Sequence, residues 1–184
     1  MKSQANRLSI LSLPEAREVY SVPPFTTQER QHFFTFTVDE LDTVKGLHFH
    51  RNRIHFLLML GYFKAKRVCL TYHWKDVEVD YQYIAQRYYS SANKQKPNVD
   101  RFTRSRLYKR VLDFTDYQRC DKQIEAQLLS QLERRVKYYI DPAQLFHDAI
   151  TFLKSKHIAI PRYSTLQKLI SKAINTEEAR MSQL

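Results

Sequence analysis

Only two glycines, Gly46 and Gly61, occur among the 184 residues of this chain. Tight strand turns and phosphate-cradling loops depend on glycine, which alone reaches positive φ without a side-chain penalty and lets a ligand approach the backbone. A chain this poor in glycine has little with which to build hairpins, a P-loop or a Rossmann unit. The expected fold is therefore all-α, and the length suits one domain or two small helical bundles.

The stretch Gly46-Leu47-His48-Phe49-His50-Arg51-Asn52-Arg53-Ile54-His55-Phe56-Leu57-Leu58-Met59-Leu60-Gly61-Tyr62-Phe63-Lys64 organises the rest. It opens on Arg and His, passes into an apolar run too short to span a bilayer, and closes on Lys64, Lys66 and Arg67. The pattern predicts a buried helix with cationic ends. Asp and Glu are absent from Thr43 through Lys75, so the helix carries an unneutralised positive field of the kind that faces phosphates. A core helix with solvated basic ends is the plainer alternative.

The charge of the whole chain points the same way. Thirty Lys+Arg against nineteen Asp+Glu give a formal net charge of +11, with a pI near 9.7. Such a balance fits a polyanionic partner, most simply nucleic acid. With two cysteines, Cys69 and Cys120, and neither a secretory leader nor an apolar stretch of spanning length, the expectation is a cytoplasmic, nucleoid-associated protein with free thiols and no membrane partner.

Read in order, residues 1–24 form an N-terminal arm with a faint helical pattern around Leu11 to Val19. Thr26-Thr27-Gln28-Glu29 and Thr37-Val38-Asp39-Glu40 are capping boxes that predict two short helices. Gly46 closes the second, and the organising helix begins near His50. These elements make a first helical subdomain over 25–72, ending in an extended crossover from Val68 to Trp74. Asp76 is expected to cap a helix through Tyr89, followed by a loop over Ser90 to Asn98.

Asp100 then caps a second basic helix, in which Phe102, Leu107, Val111 and Leu112 are expected to face a core. Arg101, Arg104, Arg106, Lys109 and Arg110 cover its remaining surface, with no acid before Asp113. Like charges so placed repel along the helix, and a merely solvated face would mix in glutamate. Asp121 to Ile140 reads as a scaffold helix. Asp141-Pro142 opens another, and Ser164-Thr165-Leu166-Gln167 reads as the capping box of a last helix through about Ile174. The second subdomain thus spans 73–175, with a flexible tail over 176–184.

Three chemistries compete with plain binding. His48-Phe49-His50-Arg51 contains the His-x-x-Arg of tyrosine recombinases, with Trp74 and Tyr83 downstream. Tyr83 would be the nucleophile and Arg51 and His48 would stabilise the phosphorane. The Leu-Gly-His stretch such enzymes place before the tyrosine is missing. A metal site among His48, His50, His55, Cys69 and His73 lacks the tight pairs that zinc prefers, so none is expected. The acids Asp76, Glu78 and Asp80 stand near a helix start and answer its dipole. No cofactor is expected and no catalytic residue assigned. Tyr81, Tyr83, Tyr88 and Tyr89 can stack on bases, though at that spacing some must be core.

A family resemblance rests on particular residues. Phe34-Thr35-Phe36-Thr37, Glu40 and the run Asn52-Arg53-Ile54-His55-Phe56-Leu57-Leu58-Met59-Leu60-Gly61-Tyr62-Phe63-Lys64 resemble the opening module of the Tn-three family of replicative (class II) transposases. Arg101-x-Thr103-x-x-Arg106 with Val111-Leu112 resembles the basic helix of that module's second half. Pro142-x-x-Leu145-Phe146-x-x-Ala149, Ile158-x-x-Pro161 and Leu166-x-x-Leu169 resemble its closing helices. The likeness runs from about Phe25 to Ile170. Asp116-Tyr117 stands where the family has Gly-Tyr, and His55 where it has a small residue.

The resemblance implies a pair of helix-turn-helix-like subdomains that bind double-stranded DNA at a transposon's terminal inverted repeats. The RNase H-like catalytic part of such a transposase would lie beyond this chain, as a possible partner. The expected DNA-binding residues are Arg51, Asn52 and Arg53 on one helix and Arg101, Thr103, Arg104 and Arg106 on the other. Arginine reads guanine and asparagine reads adenine, while Lys64, Lys66, Arg67, Lys109 and Arg110 are assigned to phosphates. A non-specific RNA- or DNA-binding regulatory fragment is the alternative from composition alone.

Overall fold

The computed structural model describes residues 8–90 and 99–183. Among the described residues the regular structure is helical: α1 Leu13–Tyr20, α2 Thr27–Phe33, α3 Val38–Lys45, α4 His50–Lys66, α5 Trp74–Tyr88, α6 Arg101–Thr115, α7 Lys122–Arg135, α8 Pro142–Ser155 and α9 Tyr163–Met181. The fold is all-α, and Gln118 and Ile158 form an isolated parallel bridge. No helix among the described residues is long and apolar enough to cross a membrane. The loop expected over Ser90 to Asn98 falls almost wholly on residues 91–98, outside the described ones.

Two compact units emerge. Ser21–Asp116 forms a central unit, and the described residues through Tyr20 join those from Tyr117 onward in a terminal unit. The boundary expected at 72/73 falls inside the central unit, because α5 and α6 both pack on α4.

In the central unit α4 is the core. Every residue from Ile54 to Phe63 is buried, since α2, α3, α5 and α6 all pack around it. A helix apolar on all sides is stable only when enclosed in this way, and each large side chain so enclosed contributes about 1.5–3 kcal/mol relative to exposure. Gly61 is required by close approach: a Cβ there would overlap the ring of Phe34 and come within 3.1 Å of the Phe33 carbonyl oxygen.

Both threonine capping boxes form as the sequence predicts, Thr26 with Glu29 and Thr37 with Glu40. Gly46 closes α3 in right-handed helical geometry. Between α4 and α5 the chain is extended, with Val68, Leu70 and Tyr72 buried in alternation. Helix α5 starts three residues earlier than its sequence signal, so His73 is the cap and Asp76 Oδ2 accepts from the His73 amide at 3.0 Å. Asp80 does not answer the helix dipole from the surface. It is buried, accepting from Arg30 Nε of α2 at 2.6 Å and from the Tyr62 hydroxyl of α4 at 2.7 Å. Burial next to that carboxylate drives the Tyr62 phenol far above its ordinary pKa.

In the terminal unit α7, α8 and α9 pack mutually. The segment expected as an N-terminal arm is docked from residue 8 onward. The Leu8 amide donates to Ser171 Oγ at 3.2 Å, the Ile10 and Leu11 amides to the Tyr163 hydroxyl at 3.3 and 3.2 Å, and Tyr20 Oη to the Pro161 carbonyl at 3.1 Å. Gln167, expected to close a capping box with Ser164, instead donates to the Leu8 carbonyl at 2.9 Å, and α9 begins at Tyr163. Helix α9 also outruns its expected end near Ile174. Ala173, Ile174 and Glu177 are buried, and Arg180 holds Glu177 through Nε at 3.0 Å.

Candidate nucleic-acid interface

Helix α6 is built to show one face to solvent. Asp100 caps it, its Oδ1 accepting from the Thr103 amide at 2.8 Å and its Oδ2 from Thr103 Oγ1 at 2.9 Å. Those bonds hold the Asp100 carboxyl below the usual carboxylate range. The other end turns through Asp116 in left-handed geometry, φ 55°. Leu107, Tyr108, Val111 and Leu112 are buried, with the Tyr108 hydroxyl donating to the Leu70 carbonyl. Arg101, Phe102, Ser105, Arg106, Lys109, Arg110 and Asp113 are exposed. None of Arg101, Arg106, Lys109 and Arg110 forms an ion pair among the described residues.

Phe102 departs from expectation. It is 82% exposed. Five residues separate it from Leu107, which at 3.6 residues per turn places it about 140° around the helix from that core position. Counting the angle from Leu107 and Val111 would have put it on the solvent face from sequence alone. Arg104 departs the other way. Three and four residues before Leu107 and Tyr108, it lies over the core stripe, half-buried, with its guanidinium 5.2 Å from the centre of the Tyr72 ring. Arg104 Nε is buried and makes no hydrogen bond among the described residues. Thr103 is occupied by the cap.

The residues expected on α4 separate into two groups. Arg51 is exposed, 5.1 Å over the Phe49 ring, and Asn52 is half-buried. Arg53 turns back on its own connection, Nε donating to the Leu47 carbonyl at 2.6 Å and Nη2 to that of Lys45 at 3.4 Å. Eleven positions beyond Arg53, roughly 16 Å along the axis, Lys64 pairs with the buried carboxylate of Glu40 and lies 5.3 Å over Phe36. Lys66 is half-buried, and Arg67 adopts left-handed geometry, its guanidinium 5.9 Å from the centre of the Phe63 ring. The enclosure of Ile54–Phe63 matches the expected buried helix with cationic ends: only its first turn and last residues reach solvent.

An aromatic cluster brings the start of α4 and the start of α6 to one neighbourhood. His55 Nδ1 and the Tyr72 hydroxyl share a hydrogen bond at 3.0 Å with their rings parallel, Tyr81 lies 5.4 Å from His55, and Trp74 lies 5.1 Å from Tyr81. Burial raises the Tyr81 phenol to about 12, and the charge of nearby Arg51 draws it down. Arg104 caps the same cluster from α6 through Tyr72. Of the side chains proposed from sequence, then, Arg51, Arg101, Arg106, Lys109 and Arg110 are presented to solvent, while Arg53, Lys64, Thr103 and Arg104 have structural partners.

The chemistries weighed against binding find this geometry. Tyr83 Oη accepts from Arg87 Nη1 at 2.7 Å, one turn along its own helix. Tyr88 Oη donates to the Phe34 carbonyl at 2.9 Å and accepts from the Phe36 amide at 3.2 Å, so that tyrosine fastens α5 to the segment between α2 and α3. Among the described residues no three His, Cys, Asp or Glu side chains stand close enough to hold a metal ion.

Residues 10–173 match a family described as "Domain of unknown function (DUF4158)". No curated protein and no solved structure matches the chain.

Proposed function

We propose that this chain, which belongs to the family of domains of unknown function DUF4158, is a sequence-specific module for double-stranded DNA that performs no chemistry by itself. The observation that carries the reading is the α6 face, where Arg101, Arg106, Lys109 and Arg110 are exposed without a carboxylate partner among the described residues. Solvated basic faces usually intersperse acids, whereas on α6 the exposed acid Asp113 comes after all four of these cations. A concentration of unopposed cations on one helix releases counterions when it meets phosphates, and a helix has the width to enter the major groove. Arg51 supplies a further exposed cation beside the aromatic cluster that Arg104 also touches.

The likeness of the Asn52–Lys64 run to the opening module of Tn-three family transposases makes the terminal inverted repeats of a mobile element the preferred target. The catalytic remainder of a transposase is then the preferred protein partner, and the nucleoid the place of action. In this reading Arg101 and Arg106 reach bases or flank a groove, Lys109 and Arg110 hold phosphates, and Lys64, Arg53 and Arg104 serve the fold.

Salt-titrated binding tests it. Terminal-inverted-repeat duplexes of Tn-three transposons, random duplex DNA and structured RNA are compared at several ionic strengths. The reading expects steep salt dependence on every duplex and the tightest binding on inverted repeats. Equal binding to all three would favour the non-specific fragment instead.

A further inference from the structure

Phe102 is the one large apolar side chain in the first turn of α6, 82% exposed and one helical turn ahead of Arg106. Arg101 adjoins it, and Lys109 and Arg110 continue the same face. Leaving a phenylalanine in water amid arginines contributes nothing to folding, since an apolar group gains only when its surface leaves water. On a helix that approaches DNA by its first turns, the side chains there are the ones that reach base edges. Phenylalanine carries no donor or acceptor, so it cannot read O6, N7 or an exocyclic amine. The 5-methyl of thymine is the only apolar group the four bases present in the major groove.

We propose that Phe102 is a base-reading residue that packs on the 5-methyl group of a thymine in the major groove, next to the base or phosphate that Arg106 engages. The proposal rests on the DNA-binding reading above and adds to it a named chemical determinant of specificity. It also supplies discrimination against RNA, in which uracil replaces thymine and the major groove is closed to side chains.

The test uses the full chain. A duplex library with a randomised core is enriched on the wild-type protein, and the retained pool is then amplified with either dTTP or dUTP, giving identical sequences with and without the methyl. Wild-type protein should bind the thymine pool about fourfold more tightly, the contribution expected for burying one carbon's worth of apolar surface. Phe102→Ala should bind both pools alike and fold normally, because the side chain is exposed. Phe102→Leu should keep part of the preference, and Arg106→Gln should weaken both pools while the ratio survives.

Equal binding of the two pools by the wild type, or a thymine preference that survives in Phe102→Ala, overturns this inference while leaving DNA binding in place. Retention of no duplex at all overturns the DNA-binding reading itself, and the methyl contact with it.

Discussion

Glu40 serves two helices at once: one carboxylate oxygen accepts from the Thr37 amide at 2.8 Å to start α3, and the other pairs with Lys64 near the end of α4. Both partners are legible in the sequence, but as separate signals, a capping box and a basic helix end. The fold joins them because α3 packs against α4, and the pairing takes Lys64 out of the set available to phosphates.

Lys64→Gln should therefore cost stability rather than DNA affinity. It leaves the Glu40 carboxylate, 7% exposed, without its cation. A loss of about 1–3 kcal/mol is expected from stranding a buried charged acceptor, read as a lower urea midpoint. The salt slope of DNA binding should not move.

Arg104 separates packing from recognition in a similar way. Its guanidinium lies over Tyr72 while Nε lacks a hydrogen bond among the described residues, so the contact is with the ring face. Arg104→Ala should cost about 1–2 kcal/mol, from the cation–π contact and the packed stem. Arg104→Met, which keeps the stem and removes the unsatisfied donor, should cost less than the alanine variant in the same urea titration. DNA affinity that falls in Arg104→Met with stability intact would return this arginine to the contact set.

Gly61→Ala sets two effects against each other. Alanine is favoured over glycine inside a helix by about 1 kcal/mol, but its Cβ would overlap the Phe34 ring, which is fully buried. Overpacking of a close-packed core costs about 1–3 kcal/mol. The clash should win, and thermal unfolding of the variant should fall below that of the wild type by a few degrees.

Cys120 should be a slow thiol. Burial, then the carboxylates of Glu125 and Asp121, raise it to about 11 from an ordinary 9.0. The thiolate is the nucleophile, so at pH 8 iodoacetamide should label Cys120 at least about tenfold more slowly in the native protein than in the urea-unfolded chain. The difference should narrow as pH climbs toward the folded value, with modification followed by mass spectrometry of the Cys120 peptide.

The legible parts of this molecule were those governed by local rules. Scarce glycine pointed to helices, and the Thr26 and Thr37 boxes, Asp100, Asp121 and Asp141-Pro142, each acting within one turn of chain, marked helix starts correctly. The enclosure of α4 was legible in outline from its unbroken apolar run. What escaped was long-range. Ser12 to Tyr20 and the residues before them dock on α9 through bonds such as Leu8 to Ser171, which no local pattern announces. The fates of Arg53, Lys64 and Arg104 depended on which carbonyl, carboxylate or ring the fold would bring near. Phe102 differs from these, because its angle from Leu107, about 140° around the helix, is set by the sequence itself and turns its apolar ring to solvent.

The central claim is that the exposed face of α6 grips duplex DNA, and the salt dependence of binding measures it most directly. The equilibrium constant for an inverted-repeat duplex is followed against salt concentration for the wild type and for the triple variant Arg106→Gln, Lys109→Gln, Arg110→Gln, all three side chains being exposed. With about 0.9 in slope for each phosphate neutralised, the account predicts tight binding by the wild type and a slope shallower by about 2 to 3 in the variant. Identical slopes and affinities for the two proteins would contradict it.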